Sequence, residues 1–123
     1  MKVLVVDNEQ AFASTLADHL GQSHIEAESV YSGEEALASV PEFQPDVMIV
    51  DLQMPDMSGL EVLAQVKALD PAIELILLTG NGSFDIGIAS MQLGAFDYML
   101  KPVDLDQLLD VIVGACEKRM KGR

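Results

Sequence analysis

The sequence predicts an open, doubly wound α/β fold in which a five-stranded parallel sheet carries helices on both faces. Continuous apolar runs at residues 3–6, 47–50 and 75–78, with a less pure one at 96–100, are typical of parallel strands buried on both faces. Residues 25–30 alternate between apolar and polar side chains, as in a strand with one wet face. Segments with helical spacing separate these runs, and strict alternation with right-handed crossovers implies an open, mostly parallel sheet with helices on both faces.

Local signals place the individual elements. We expect strands at about residues 2–7, 25–30, 46–51, 74–79 and 96–100. Ser32 and Ser58 each precede a Glu by three residues, which is the capping-box pattern of a helix start, and Asp104 with Gln107 is a close variant. Helix ends are expected at Gly21, Pro41, Pro71 and Gly94.

The last two helices are expected at about residues 84–93 and 104–119. In the fourth helix Ile86, Ala89 and Leu93 share a face, and Ile88 and Met91 lie off it. One face of the fifth helix is formed by Leu105, Leu108, Leu109, Ile112 and Cys116. This arrangement favours packing over chemistry for the cysteine.

Composition limits the classes of function. With 123 residues and a single cysteine, the chain is expected to form one domain over residues 1–123 without disulfides or a structural metal. Its 20 acids and 7 bases give a formal charge of −13, and so acidic a surface argues against direct nucleic-acid binding. No apolar run approaches the roughly 18 residues of a membrane span, and no signal-peptide core follows the N-terminus. We therefore expect a cytoplasmic protein without membrane contact.

Four basic residues, Lys118, Arg119, Lys121 and Arg123, lie close to the C-terminus. We interpret them as cations that complement the end of the last helix and remain solvated. A contact with nucleic acid or a membrane is the alternative, and four charges without aromatic residues support it only weakly.

Polar side chains follow four of the five predicted strands. Asp7 and Asn8 follow the first, Asp51 ends the third, Thr79 ends the fourth and Lys101 follows the fifth. In open parallel sheets the ligand site lies beyond the carboxyl ends of the strands, so we expect these residues on one rim. Oxygen-bearing side chains beside a lysine suit Mg²⁺ and phosphoryl transfer, and a carboxylate can be the nucleophile that forms an aspartyl phosphate.

Each of these residues also has a purely structural interpretation. Asp7, Asn8 and Asp51 can start helices, Thr79 can be an ordinary strand residue, and Lys101 can be a solvated charge. Their coincidence on one rim favours the functional interpretation, because acids and a lysine that converge in a cleft are typical of active sites.

These residues and their surroundings resemble the receiver domains of two-component response regulators. The likeness covers the whole chain, from residues 3–7 (VLVVD) through 46–55 (DVMIVDLQMP) and 78–80 (LTG) to 97–102 (DYMLKP). Residues 80–102 look most like receivers attached to enhancer-binding transcription activators. The resemblance implies a flavodoxin-like (βα)5 sheet with strand order 2-1-3-4-5.

The resemblance also implies roles for the rim residues. Asp51 would accept a phosphoryl group from the phosphohistidine of a sensor histidine kinase or phosphotransfer protein. Mg²⁺ would be held by oxygen atoms of Asp7, Asn8, Asp51 and Gln53. Thr79 would bond a phosphoryl oxygen, and Lys101 would pair with Asp51 and then with its phosphate. The chain would thus be a signalling switch and not an enzyme, apart from the self-catalysed gain and loss of its own phosphoryl group.

Tyr98 matches the switch aromatic of that family, which turns inward as Thr79 moves toward the phosphate. A core tyrosine with a wet hydroxyl is the alternative. The fourth helix, fifth strand and fifth helix would form the output surface for an effector domain, an effector protein or a second receiver, with Ile88 and Met91 as apolar residues on it. At the mouth of the site, Gln53 and Asn81 would influence hydrolysis of the phosphate.

Asn8 departs from the family, which commonly has a second acid at this position. An amide oxygen can ligate Mg²⁺ but brings no charge, and metal affinity depends on the charge of the ligands. Glu9 is not expected to replace it, because neighbouring side chains at a helix start face different ways.

Two other functions remain as alternatives to a phosphorylated switch. The first is a pseudo-receiver, an interaction domain that does not use phosphorylation, and Asn8 is its main support. The second is an enzyme or nucleotide carrier. It is disfavoured because no glycine-rich phosphate loop follows the first strand, and Cys116 and the histidines form no nucleophile constellation.

Overall fold

A computed structural model of the chain describes residues 1–80 and 84–122, including all five predicted strands. In this part of the chain strands and helices alternate as β1 (Lys2–Val6), α1 (Gln10–Gln22), β2 (Glu26–Val30), α2 (Gly33–Phe43), β3 (Val47–Asp51), α3 (Gly59–Leu69), β4 (Glu74–Thr79), α4 (Phe84–Gln92), β5 (Asp97–Leu100) and α5 (Leu105–Lys121). The strands pair in parallel in the order β2-β1-β3-β4-β5. The predicted fold class and strand order are confirmed.

The sheet buries side chains on both faces because successive residues of each strand point to opposite sides. Leu4 and Val6 of β1 pack with α2 and α3, whereas Val3 and Val5 pack with α1 and α5. The central strands β3 and β4 are buried along their whole length. These two layers fix the carboxyl ends of β1, β3 and β4 side by side at one edge of the domain.

The three predicted helix starts are capped as expected. Ser32 Oγ accepts a hydrogen bond from Glu35 N at 3.1 Å, and Ser58 Oγ accepts one from Glu61 N at 3.2 Å. Asp104 Oδ1 accepts from Gln107 N, also at 3.2 Å. Each cap satisfies a backbone donor that has no partner within its helix.

One of the predicted helix ends was wrong. Pro41 lies inside α2, which continues to Phe43 and ends at Gln44 with φ 54°. A proline there removes one backbone hydrogen bond, and the burial of Phe43 against the core favours continuation of the helix. Gly21 lies in the last turn of α1, and the left-handed residue beyond that helix is His24, with φ 64°. Gly94 does follow the end of α4, with φ 100°.

The expectation of a solvated basic end was wrong for Arg119, which is only 6% exposed. Its Nε donates to Asp46 Oδ1 at 3.0 Å, and its Nη1 donates to Asp70 Oδ2 at 3.3 Å. Asp46 precedes β3 and Asp70 follows α3, so one guanidinium joins the C-terminal helix to two loops at the amino-terminal edge of the sheet. Arg123 lies outside the described residues.

In the described part of the chain, none of the helices combines the length and the apolar character needed to cross a bilayer.

Candidate functional site

Two buried carboxylates lie next to each other at the carboxyl edge of the sheet. Asp7 directly follows β1 and is 1% exposed, and Asp51 is the last residue of the neighbouring strand β3 and is 6% exposed. Thr79 ends the next strand, β4, and is also buried. The strand order thus brings Asp7, Asp51 and Thr79 to one rim, as predicted.

Lys101 completes the rim from the end of β5. Its backbone N donates to Thr79 O at 2.8 Å, which ties the last two strand ends together, and the Lys101–Pro102 peptide bond is cis. Lys101 Nζ lies 2.8 Å from Asp7 Oδ2 and 3.8 Å from Asp51 Oδ2. The ammonium group also lies 4.6 Å from the centroid of the Phe12 ring. The sequence interpretation paired Lys101 with Asp51, but its shorter ion pair is with Asp7.

The electrostatics of the rim reflect the burial of like charges. Burial raises the pKa of Asp51, and the charge of Asp7 raises it further, while the hydrogen bond from Gln53 N at 3.2 Å and the charge of Lys101 act in the opposite direction. Burial acts to lower the pKa of Lys101. The hydrogen bond to Asp7 and the charges of Asp51, Asp7 and Glu9 outweigh burial, so the pKa of Lys101 is raised. Lys101 is therefore a permanent positive charge between two carboxylates at neutral pH.

The donor set of this rim fits a hard divalent cation that keeps several water ligands. Asp7 and Asp51 supply two anionic groups, and Asn8 and Gln53 are exposed beside them. Among residues 1–80 and 84–122 no three Asp, Glu, His or Cys side chains are grouped as a metal cage. Mg²⁺ is usually bound by one or two carboxylates, with neutral oxygens and water for the rest, so this arrangement suits Mg²⁺ better than a cation that needs an all-protein cage.

Glu9 was not expected to act as a replacement metal ligand, and its contact with Lys101 was not predicted. Its Oε1 lies 3.5 Å from Lys101 Nζ, and its backbone N donates to Asp7 Oδ1 at 2.9 Å. The argument from helical facing does not hold at this position, because Glu9 is the N-cap of α1 and has an extended backbone with φ −80° and ψ 92°. The sequence feature that could have indicated this contact is the position of Glu9 directly before Gln10, the first residue of α1.

Tyr98 joins β5 to α4, next to the end of β4. The ring lies directly on the backbone of Gly87, since a Cβ at Gly87 would be 2.7 Å from Tyr98 Oη. Tyr98 is half-buried and packs against the core cluster that contains α2 and α3. Both alternatives weighed for Tyr98, switch aromatic and core tyrosine, are compatible with this position.

The predicted output surface exposes apolar side chains. Ile88 is 41% exposed and Met91 47% exposed, as the helical pattern indicated. Leu93 was grouped with Ile86 and Ala89 on the opposite face, but it is 48% exposed, because α4 ends at Gln92. Asn81, predicted at the mouth of the site, lies outside the described residues.

Comparison with known proteins gives one consistent result. A family model described as a response regulator receiver domain matches residues 3–113. The regulatory protein LuxO of Vibrio cholerae is 31% identical over 117 residues, which are 95% of this chain and 26% of LuxO. The DNA-binding transcriptional regulator NtrC of Salmonella typhimurium is 33% identical over 110 residues, which are 89% of this chain and 24% of NtrC.

A solved structure agrees with these relatives. The crystal structure of a CheY-like response regulator receiver domain protein from Methanospirillum hungatei superposes with a TM-score of 0.93 at 28% identity, over 99% of this chain and 98% of that one. The chain spans about a quarter of the length of LuxO and NtrC. The resemblance suggested by the motifs is confirmed, and the chain belongs to the response regulator receiver domain family.

Proposed function

We propose that this chain is a phosphorylation-controlled signalling switch whose phosphoacceptor is Asp51. The observation that carries the proposal is a buried carboxylate at a strand end, flanked by a second carboxylate and by an ammonium group 3.8 Å away. Phosphorylation-based switching is the general function of receiver domains in two-component response regulators. The donor would be a sensor histidine kinase or a phosphotransfer protein.

The chemistry assigns one task to each residue. A carboxylate oxygen of Asp51 attacks phosphorus, the P–N bond of the donor phosphohistidine breaks, and the imidazole leaves with the bonding electron pair. Lys101 and the Thr79 hydroxyl bind the phosphoryl oxygens that gain charge. Dephosphorylation is a separate reaction, in which water attacks phosphorus, the P–O bond to Asp51 breaks, and the Asp51 carboxylate and inorganic phosphate are released.

Mg²⁺ would be held by Asp7, Asp51, the Gln53 carbonyl and the Asn8 amide, and when bound it supplies positive charge to the transferring group. Receiver domains are generally Mg²⁺-dependent. Two carboxylates side by side and largely out of water repel each other, and this repulsion favours binding of a cation. Lys101 offsets part of the repulsion while it remains on Asp7.

The output of the switch would be the surface of α4, β5 and α5. Thr79 ends β4, and Tyr98 on the neighbouring strand β5 rests on Gly87 of α4. We propose that a shift of Thr79 toward a phosphate is passed to α4 through this ring. The exposed Ile88 and Met91 lie on the same helix. An effector domain, an effector protein or a second receiver would bind there, and neither nucleic acid nor a membrane is expected to contact this domain directly.

Receiver domains are response regulators and not classical enzymes. We propose that residues 1–123 act as one cytoplasmic receiver domain whose only chemistry is the gain and loss of a phosphoryl group. A pseudo-receiver is the second candidate. Two observations favour it. Asn8 is neutral, and Lys101 forms a 2.8 Å ion pair with Asp7, a carboxylate that would otherwise be available to Mg²⁺.

Mass spectrometry after exposure to acetyl phosphate with Mg²⁺ tests the proposal. We expect a mass increase of one phosphoryl group that depends on the metal and is labile to hydroxylamine, as an acyl phosphate should be. Asp51→Asn should abolish it. Asp46→Asn, which alters an acid at the opposite edge of the sheet, should not. A modification that survives Asp51→Asn contradicts Asp51 as the phosphoacceptor, and the absence of modification with any donor or kinase supports the pseudo-receiver.

A further inference from the structure

An aspartate in the loop after β3 contacts the start of α2. Asp56 Oδ2 accepts a hydrogen bond from Glu34 N at 2.9 Å, and Oδ1 accepts one from Gly33 N at 3.1 Å. These N–H groups belong to the first turn of the helix and have no acceptor within it. The same two bonds lower the pKa of Asp56, so its carboxylate stays ionised and can accept both bonds at neutral pH.

A second contact fixes the neighbouring residue of the same loop. Gly33 has no Cβ, and a Cβ there would lie 2.7 Å from Met57 Sδ. The Met57 side chain therefore lies directly on the backbone of the first turn of α2. Together, Asp56 and Met57 attach the middle of the loop, which we call the acceptor loop (residues 52–58), to a neighbouring helix.

The acceptor loop carries one side of the phosphorylation site. It begins directly after Asp51, and Gln53 N donates to Asp51 Oδ1 at 3.2 Å. Its far end is fixed close to the strand, because Gly59 N donates to Leu52 O at 3.0 Å and a Cβ at Gly59 would lie 2.7 Å from Asp51 O. Between these fixed ends, Met54 and Met57 pack against the core, and the bonds from Gly33 and Glu34 to Asp56 add a polar restraint at the middle of the loop.

We propose that Asp56 is a positioning residue that holds Gln53 and Asp51 in the geometry needed to bind Mg²⁺ and accept a phosphoryl group. This inference rests on the proposed function, because it concerns the same site. Groups that orient metal ligands without touching the metal change affinity by about 10- to 100-fold when they are removed. Asp56 acts through the backbone and lies three residues from Gln53. We therefore expect the lower end of this range, a loss of Mg²⁺ affinity of about tenfold when Asp56 is removed.

The test compares Asp56→Ala with two matched controls on the same helix end. Ser32→Ala removes the other cap of α2, the bond from Glu35 N at 3.1 Å, and leaves the acceptor loop attached. Glu34→Gln removes one negative charge at the same place and keeps the N–H group that Asp56 binds. Asp56→Asn retains one oxygen acceptor and should recover part of the function.

Two measurements are made on each variant. Calorimetric Mg²⁺ titration should show about tenfold weaker binding for Asp56→Ala, an intermediate value for Asp56→Asn, and changes below about twofold for the two controls. Amide hydrogen exchange of the metal-free protein should be faster at Gln53 and Met54 in Asp56→Ala only.

Several outcomes overturn the proposal. They are unchanged Mg²⁺ affinity in Asp56→Ala, an equal loss in Glu34→Gln, which would show that charge alone acts, and unchanged exchange at Gln53 in Asp56→Ala. A wild-type protein that binds no Mg²⁺ contradicts the proposed function. The exchange measurement then still decides whether Asp56 holds the acceptor loop.

Discussion

At the scale of single residues, the charge balance of the rim depends on three neighbours in the chain. Asp7 is buried and paired with Lys101, Asn8 is neutral and exposed, and Glu9 reaches the same lysine from the N-cap position of α1. Glu9 thus adds a negative charge beside Lys101, at 3.5 Å from its Nζ. Because Glu9 is 68% exposed, water screens its charge more than that of the buried Asp7.

Asn8→Asp tests this balance. A carboxylate in place of an amide beside a divalent ion is worth on the order of 1 to 3 kcal/mol after screening. We expect about tenfold tighter Mg²⁺ binding, since ~1.4 kcal/mol corresponds to a decade in affinity. The metal-free variant should be less stable, because the new carboxylate joins Asp7 and Asp51.

Mg²⁺ titration and denaturant unfolding with and without the metal provide the measurement. Gln10→Glu is the control, because it adds the same charge at an exposed position two residues further along the chain. Equal Mg²⁺ affinity in Asn8→Asp and wild type would mean that position 8 does not contact the ion.

At the scale of elements, α4 and β5 are packed through the contact between Gly87 and Tyr98. We expect Gly87→Ala to displace the ring, because the new Cβ would lie within 3 Å of three atoms of Tyr98. The overpacking should cost about 1–3 kcal/mol of unfolding free energy. Gly21→Ala is the control, since a Cβ there meets nothing within 4 Å and alanine should stabilise the helix by about 0.5–1 kcal/mol.

Tyrosine fluorescence in a Tyr31→Phe background reports on Tyr98 alone, because the chain has two tyrosines and no tryptophan. The Tyr98 signal should differ between Gly87→Ala and Gly21→Ala. An identical signal in the two variants would show that the ring does not depend on the missing Cβ of Gly87.

The elements differ in how far the sequence could predict them. Helix starts were predictable because Ser32, Ser58 and Asp104 cap by short-range hydrogen bonds within four residues. The contacts of Glu9, Asp56 and Arg119 were not predictable in the same way. Glu9 depends on the backbone angles of the N-cap, and the bonds of Asp56 and Arg119 join residues 22 to 73 positions apart. Such long-range pairs can be identified only from the folded structure, in which the βα crossovers bring the loops together.

At the scale of the whole molecule, the two edges of the sheet hold different ionic groups. The carboxyl edge holds the proposed phosphorylation site, whereas the amino-terminal edge holds Arg119 between Asp46 and Asp70. Lys2 N also donates to Asp46 Oδ2 at 2.8 Å, so this aspartate connects β1, β3 and α5. We interpret the amino-terminal cluster as structural, since it joins elements that are distant in the chain.

Asp46→Asn should therefore reduce stability in a pH-dependent way. Burial acts to raise the pKa of Asp46, but the Lys2 N–H bond and Arg119 outweigh burial and lower it. The ionised carboxylate then stabilises the fold fully above its ordinary pKa of 3.8, and this contribution is lost as the pH falls through the lower, folded-state value. The variant should lose about 1–3 kcal/mol at pH 7.

Denaturant unfolding at several pH values gives the measurement, with the exposed acid Glu42→Gln as the control. The difference between Asp46→Asn and wild type should shrink as the medium becomes more acid than pH 3.8. A difference that stays constant with pH would contradict an ionised role for Asp46.

We infer that a phosphoryl group on Asp51 changes the surface formed by α4, β5 and α5. Amide hydrogen exchange with and without acetyl phosphate and Mg²⁺ tests it most directly, with mass spectrometry to confirm the fraction phosphorylated. We expect the largest changes in exchange within residues 79–101. The changes should be weaker in Thr79→Ala, because this variant lacks the hydroxyl that would move toward the phosphate on Asp51. Changes confined to the loops beside Asp51, with residues 84–119 unaffected in fully phosphorylated protein, would show that the phosphoryl group does not act on this surface.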